Sequence, residues 1–401
     1  MAQNMSVRCC IAGGGPAGMM LGFLLARSGV DVVVLEKHAD FLRDFRGDTI
    51  HPSTLEVMAE LGLLDDFLKR PHQEVTYAGV ELGDRLVRIA DFTHLPTRCK
   101  FIAFMPQWHF LDFLAEKARA LPNFRLMMEE EAVDLVVDGG DVGGLRVRTK
   151  EGEIAISADL VVAADGRHSL LRDKAGLAVE DLGAPMDVLW FKLTRQANDD
   201  HAVLGRILAG RGIVMLDRGD YWQCAYLIRK GGFEELQRRG LDAFRADVAM
   251  LARRDAVRDI GGWDDVRLLT VRVDRLPRWY KPGLLFIGDA AHAMSPIGGV
   301  GINLAIQDAV AAANILAGPL RERSVRLSDL ARVQERRWFP TRMTQAMQIA
   351  VQNRVIAPVL ERGTTPKVPA IVKLAQHIPL LQRIPARLIG LGVRPEHVRP
   401  S

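Results

Sequence analysis

Residues 8–36 read RCCIAGGGPAGMMLGFLLARSGVDVVVLE, and this stretch decides the fold. The apolar opening at Cys9, Cys10 and Ile11 is a strand that runs into Gly13-Gly14-Gly15-Pro16-Ala17-Gly18, the spacing G-x-G-x-x-G. Met19, Met20, Phe23 and Leu24 follow at helical spacing, and Ser28-Gly29 closes the helix. A second apolar run, residues 32–35, ends in Glu36. In such a unit the first glycine permits a tight turn. The second lets backbone approach a pyrophosphate, and the third lets helix and strand pack closely. A carboxylate on the second strand tip accepts both hydroxyls of an adenosine ribose, so the unit predicts an adenine dinucleotide site. Residues 9–26 are uncharged enough to pass for a signal peptide or a short membrane span. The glycine cluster, the immediate second strand and its terminal acid favour the nucleotide site.

A second stretch, residues 284–309, LLFIGDAAHAMSPIGGVGINLAIQDA, repeats the logic at the far end of the chain. Its apolar run ends in Gly288-Asp289, a strand tip that carries a carboxylate. Pro296, Gly298, Gly299 and Gly301 then lead into a helical pattern from Ile302. A glycine turn entering a helix leaves backbone N–H groups free beside the positive end of the helix dipole. His292 is expected to be a packed, hydrogen-bonded structural histidine. Between the two, residues 158–164 (ADLVVAA) form another strand ending in Asp165-Gly166, with Arg167, Ser169 and Arg172 at a helix start. These basic groups can reach phosphate.

The 401 residues suggest two or three domains. Hydrophobic residues at 48% and charged residues at 25% are ordinary globular usage. A net charge of +4 favours small anionic ligands mildly and gives no case for nucleic acid. Cys9, Cys10, Cys99 and Cys224 contain no C-x-x-C pair and no metal-ligand spacing, which disfavours a disulfide reductase and a structural zinc. No other stretch reads as a membrane span, so a cytoplasmic protein is expected.

Taken together, the three motifs resemble the flavoprotein monooxygenases of the p-hydroxybenzoate hydroxylase type, including the ubiquinone-biosynthesis hydroxylases. The resemblance runs from residue 7 to about residue 314. It implies an α/β fold: a Rossmann-like FAD-binding domain, a mainly antiparallel β-sheet substrate domain and a helical C-terminal part. The expected boundaries are 1–75, 100–182 and 272–350 for the FAD domain, 76–99 and 183–271 for the sheet domain, and 351–401 for the C-terminal segment. The resemblance places the adenosine diphosphate of FAD on Gly13, Gly15, Pro16, Ala17, Gly18, Glu36 and Lys37. Asp165 and Gly166 would lie near the pyrophosphate and help NADH or NADPH, a transient co-substrate, reach the flavin. Asp289 would bind the ribityl chain. The backbone of Gly299, Val300, Gly301, Ile302 and Asn303 would face the flavin's pyrimidine edge. Pro296 would lie beside substrate at the reacting face, and Arg46 would lie against the flavin; these two are the catalytic candidates. Gln107, at the start of an amphipathic helix, matches a further FAD contact. Ser53 and Glu56 read as a capping box that opens a helix just after Arg46 and runs to about Leu61. The implied reaction uses NAD(P)H and O2 to hydroxylate an aromatic or related electron-rich small molecule through a flavin C4a-hydroperoxide. A reductase or dehydrogenase of the same fold, and a non-catalytic FAD-binding protein, are the alternatives.

Departures narrow this reading. There is no second G-x-G-x-x-G unit; Gly139-Gly140-Asp141-Val142-Gly143-Gly144 reads as hairpin punctuation, so no dedicated NAD(P)H domain is expected. The W-x-W-x-I-P signature of flavin halogenases is absent. No serine–arginine pair suited to a benzoate carboxylate is evident, and a larger or less polar aromatic, heteroaromatic or quinone precursor fits better. Residues 213–216 and 221–228 flank the turn 217–220 as a hairpin. Alternation puts Trp222, Cys224 and Tyr226 on one face, and Trp222 and Tyr226 are the preferred substrate contacts. Residues 373–398, KLAQHIPLLQRIPARLIGLGVRPEHV, are basic and apolar. They are expected to cap the protein or the neighbour in a homodimer, with weak peripheral docking on anionic lipid as the alternative.

Overall fold

The structure, a computed structural model, describes residues 5–42, 49–83, 85–196, 204–208, 210–253, 256–363 and 379–399. In chain order the main elements begin with β1 (Met5–Ala12), α1 (Pro16–Arg27), β2 (Val32–Glu36), α2 (Pro52–Glu60) and α3 (Gln107–Arg119). They continue through β3 (Phe124–Met128), β4 (Gly152–Ala163), β5 (Met186–Thr194), β6 (Arg211–Asp217), β7 (Tyr221–Arg229) and α4 (Leu241–Ala252). The remainder comprises β8 (Leu284–Phe286), α5 (Gly301–Arg321), α6 (Leu327–Val351) and α7 (Pro379–Gly390).

One sheet is parallel through the strands β8-β4-β1-β2-β3, in that order. Both its faces are covered, which is why its strands read as continuous apolar runs. Val32 and Val34 pack with α1, α3 and α5, while Val33 and Leu35 face the opposite cluster around Phe286 and Trp279. Cys9 and Cys10 divide between the same two faces, and burial pushes the Cys10 thiol up to about 12. They are packing residues. The glycine pair 139–140 turns an antiparallel hairpin, Glu131–Asp138 with Asp141–Thr149, at φ values of 58° and 96°, as the sequence predicts.

The second sheet has seven strands, with β5, β7 and β6 antiparallel neighbours. A parallel pairing of Gly205 with Val80 attaches the early hairpin Tyr77–Leu82 and Arg85–Asp91 to it. One face is covered by Phe233–Arg239 and α4, two helices that the strand-based reading of this region did not contain. Against the other lies α7, whose Ala386 is buried with Phe92, Leu95 and Leu216.

Two expectations are corrected. Ser53 does not cap its helix: α2 starts at Pro52 with His51 before it, no side chain caps it, and Glu56 accepts the Arg98 N–H at 2.5 Å instead. Proline's fixed φ suits the first helical position, so it moves the start ahead of the serine. Residues Ile297–Arg321, not singled out for length, form a helical stretch apolar enough to cross a membrane by composition. Two thirds of the decisive window is buried inside the protein, so it is a core helix here.

Candidate cofactor and substrate site

The carboxyl ends of β1, β2, β4 and β8 open on one side of the sheet, where strand order reverses about β1, the usual crevice for ligands in doubly wound folds. Gly13 leaves β1 at φ 108°, and a methyl there would come within 2.3 Å of the Ala164 carbonyl oxygen at the tip of β4. A methyl on Gly18 would meet the Gly13 carbonyl oxygen at 2.0 Å. Both glycines are therefore demanded by protein packing. Gly15 differs: among the described residues, none but its chain neighbours lies within 4 Å of where its Cβ would be, and no side chain caps the helix it opens. Gly166 is likewise open.

Glu36 turns back over this entrance. Its Oε2 accepts the Gly14 N–H at 3.1 Å and its Oε1 accepts the His38 N–H at 3.1 Å. Lys37 is exposed at a surface depression shared with Glu129 and Lys150. Asp165 accepts the Leu171 N–H at 3.2 Å through one oxygen, while the other is buried with no hydrogen-bond partner among the described residues. That burial raises its carboxyl above the usual range. Arg167 reaches across to Asp289 at 3.2 Å, and Arg172 fixes the crossing by donating to the Ala290 and Arg167 carbonyls.

Gly288, at φ 59°, threads the tip of β8 between the first turns of α1 and α5; a Cβ would lie 3.1 Å from the Ala17 Cβ and 3.3 Å from the Ala305 Cβ. Gly298 and Gly299 have φ of 78° and 62° and bring the chain to Val300 and Gly301, where α5 starts without a side-chain cap. Thr49 donates to the Gly299 carbonyl at 2.8 Å. The Asn303 side chain is committed to structure: Oδ1 accepts the His51 N–H and the Thr54 hydroxyl, both at 2.8 Å, and Nδ2 donates to the Thr49 carbonyl at 3.1 Å. Ile302 is buried beside it and Pro296 is half-buried. Gln107 is the first residue of α3 and half-buried. Arg46 lies outside the described residues. His292 donates within a buried pair to Asp308 at 2.6 Å and packs on Trp279, the structural role expected of it.

Trp222 and Tyr226 are not on the side of the sheet that meets this crevice. They pack with Phe191 and Phe244 under α4, and Tyr226 directs its hydroxyl to Asp247 at 3.4 Å. The opposite face of the same strand carries Leu227, which packs against the cluster of Met186, Ile356 and Leu360, as does Ile297, the residue after Pro296. Ala225, Val214 and Trp190 share that face. The preference for Trp222 and Tyr226 does not match this packing: two covering helices claim the bulkier face.

Two uncapped helix starts, glycines open to a close neighbour, a buried carboxylate oxygen lacking a partner and a part-exposed carboxylate at the third strand tip suit a dinucleotide carrying a pyrophosphate and a polyhydroxy chain. The residues fit FAD. The fold and site together define a flavin-dependent α/β oxidoreductase.

Comparison with known proteins agrees. A family model described as FAD binding domain matches residues 6–347. The chain belongs to this family, and it is an enzyme of the FAD-dependent aromatic monooxygenases, the hydroxylases of aromatic compounds. It is 34% identical over 365 residues to 6-methylpretetramide 4-monooxygenase of Streptomyces rimosus, covering 88% of this chain and 85% of that one. It is 30% identical to dialkyldecalin synthase of Streptomyces rugosporus, over 76% of this chain and 64% of that one. The solved p-nitrophenol 4-monooxygenase PnpA of Pseudomonas putida DLL-E4 shares the fold at a TM-score of 0.77 and 21% identity, over 95% of this chain and 97% of that one.

Proposed function

We propose that this enzyme places one atom of O2 on a large, flat, mainly apolar aromatic substrate lying between the crevice and the Leu227 face of the second sheet. The observation that carries this is the shared packing of Leu227 and Ile297 on Met186, Ile356 and Leu360, which joins that face to the Pro296 loop. Apolar neighbours there, Trp190, Val214 and Ala225, favour ring surface over a carboxylate grip. The 34% identical relative is named as a 4-monooxygenase of 6-methylpretetramide, which supports transfer of one oxygen atom to an organic substrate.

FAD, when bound, takes hydride from NADH or NADPH and activates O2. On this reading the chain supplies binding, orientation and dryness. The open N-terminus of α1 with Gly15, Pro16 and Ala17 holds the pyrophosphate, and Glu36 holds the adenosine ribose, with Lys37 at the rim. Asp165 and Gly166 border the pyrophosphate, Asp289 binds the ribityl hydroxyls, and Gln107 and Arg46 complete the contacts. The start of α5, from Gly299 to Asn303, offers N–H groups and a positive dipole end to charge that develops on reduction. Pro296 borders the reacting face. Residues 1–75, 100–182 and 272–350 form the FAD domain, 76–99 and 183–271 the substrate domain, and 351–401 a cap. The proposed location is the cytoplasm; a homodimer contact or lipid contact of the cap would appear in sedimentation with and without anionic vesicles.

The test is NAD(P)H consumption by the flavin-loaded protein across an aromatic library, with product masses. Gain of one oxygen atom supports the proposal; reduced product, or no substrate-stimulated oxidation, removes it.

A further inference from the structure

The loop carrying Pro296 is gripped from behind by α6 and its continuation. Gln345 donates to the carbonyls of Asp274 and Ala293 at 2.7 and 3.1 Å. Gln348 accepts the Ser295 N–H at 3.1 Å and donates to the Ser295 and Ile297 carbonyls, both at 2.9 Å. Gln352 donates to the Ser295 hydroxyl at 2.8 Å, and that oxygen accepts the Ile297 N–H at 3.3 Å. The Pro296 carbonyl accepts the Gly299 N–H. Every backbone polar group from Ser295 to Ile297 therefore has a partner, and three of the five partners are on Gln348.

One buried glutamine would be an ordinary satisfied core residue. Three, spaced i, i+3 and i+7 and all buried, form a single stripe: Gln348 and Gln352 are spent on residues 295–297, and Gln345 ties Ala293 just before them to Asp274. The helix also widens where it meets the loop: Gln352–Ile356 is a π turn, a departure that costs regular hydrogen bonding and concentrates at functional sites. The turn's last residue, Ile356, packs with Leu227, Met186 and Ile297. The same helix thus fixes the loop's polar groups and its apolar contact with the substrate sheet.

We propose that Gln348 and Gln352 are positioning residues for oxygen transfer: they hold the Pro296 loop so that substrate and flavin meet in register and water stays out. This rests on the reading that Pro296 borders the reacting face. Small misplacements cost oriented reactions heavily, and an opened site releases peroxide instead of product.

The experiment compares Gln352→Leu, Gln348→Glu and Pro296→Ala, each purified with FAD. Gln352→Leu removes one hydrogen bond, so the fold is kept. Flavin content and melting temperature are expected to stay near the parent. Iodide quenching of flavin fluorescence should rise at least twofold. With the library compound of highest kcat/KM, the share of NAD(P)H oxidation that yields product should fall at least fivefold, the balance appearing as hydrogen peroxide. In Gln348→Glu the protonated carboxyl can donate to one carbonyl and the ionised form cannot, so coupling should recover toward acid pH, a dependence the parent lacks. Parent-like quenching and coupling in both glutamine variants, with Pro296→Ala uncoupled, would overturn the role of the glutamines alone. Parent-like behaviour in all three would overturn the placement of Pro296 as well.

Discussion

Arg337 Nε lies 2.9 Å from Asp308 Oδ1, and both side chains are buried. The other oxygen of Asp308 accepts the Gly288 N–H at 3.1 Å, so the pair holds up the strand tip that presents Asp289. Arg337 also faces Glu396 at 3.5 Å, which ties the end of the chain into the same network. Burial alone would raise the Asp308 carboxyl, yet His292 and Arg337 hold it below the usual carboxylate range.

Arg337→Met should therefore destabilise the protein by roughly 3 kcal/mol, because it takes a charged partner from two buried carboxylates and leaves Asp308 with His292 alone and Glu396 with Arg336 alone. Adding Asp308→Asn, which can still accept the Gly288 N–H, should recover part of the loss. Urea unfolding of the two variants checks this, and FAD titration should show weaker binding in the single variant. Equal stability of Arg337→Met and parent would count against the network.

The two outer glycines of the first motif and the middle one should fail differently. Gly18→Ala drives a methyl into the Gly13 carbonyl, so both folding and FAD binding should suffer. Gly15→Ala meets no described residue beyond its chain neighbours, and Gly15 already has an ordinary φ of −73°. Its apoprotein should melt within about 2–3 °C of the parent, since the change costs only the preference of a helix N-cap for glycine over alanine, about 0.5–1 kcal/mol. Its FAD affinity should nevertheless drop at least tenfold, as read by flavin fluorescence during reconstitution.

Asp289→Ala should behave as the second separable case. The Arg167–Asp289 pair is about one third exposed on both sides, so its loss costs at most about 1 kcal/mol of apoprotein stability. Flavin content after purification should fall severely. Undiminished flavin would remove Asp289 from the cofactor site.

The nucleotide half was readable because its constraints are local. Gly13, Gly18 and Glu36 lie within one strand-helix-strand unit, and their spacing carries the geometry. The ties that stabilise the site are not local: Asn303 reaches Thr49, Thr54 and His51, and Asp308 reaches Arg337, across separations that no motif marks. The packing of the second sheet was not legible for a similar reason. Alternation separates Trp222 and Tyr226 from Leu227, but which face a helix covers depends on where α4 folds back. The helical spacing of Phe244, Val248 and Leu251 was the available signal.

Substitutions on the two faces should separate accordingly. Tyr226→Phe loses only a long hydrogen bond to Asp247 and should leave KM for the best aromatic substrate within twofold. Leu227→Trp, on the cluster that also holds Ile297, should raise that KM at least tenfold with flavin content unchanged. Steady-state kinetics with matched flavin loading decides between the faces.

His51 supplies a pH-dependent stability change. It is fully buried, its Nδ1 lies 2.7 Å from the Ile389 carbonyl of α7, and its Nε2 has no partner among the described residues. Burial lowers its pKa to about 4, opposed only by the bond to Ile389. The unfolded chain takes up a proton on this ring below about pH 6.5, whereas the folded chain does so only near 4. Folding stability is therefore unaffected above pH 7 and falls as pH drops through that window, by up to about 3 kcal/mol. Asp308 acts in the next window down: its lowered carboxyl contributes stability above the ordinary carboxylate pKa, and that is lost at still more acid pH. His51→Asn keeps a donor for Ile389 and cannot titrate. Its unfolding free energy should decline less between pH 6.5 and 4.5 than the parent's, the remaining slope coming from His109 and His168, which burial also lowers, and both should fall together below that. A parent curve already flat from pH 7 to 4.5 would show that His51 is protonated without cost in the fold, contrary to its burial between α2 and α7.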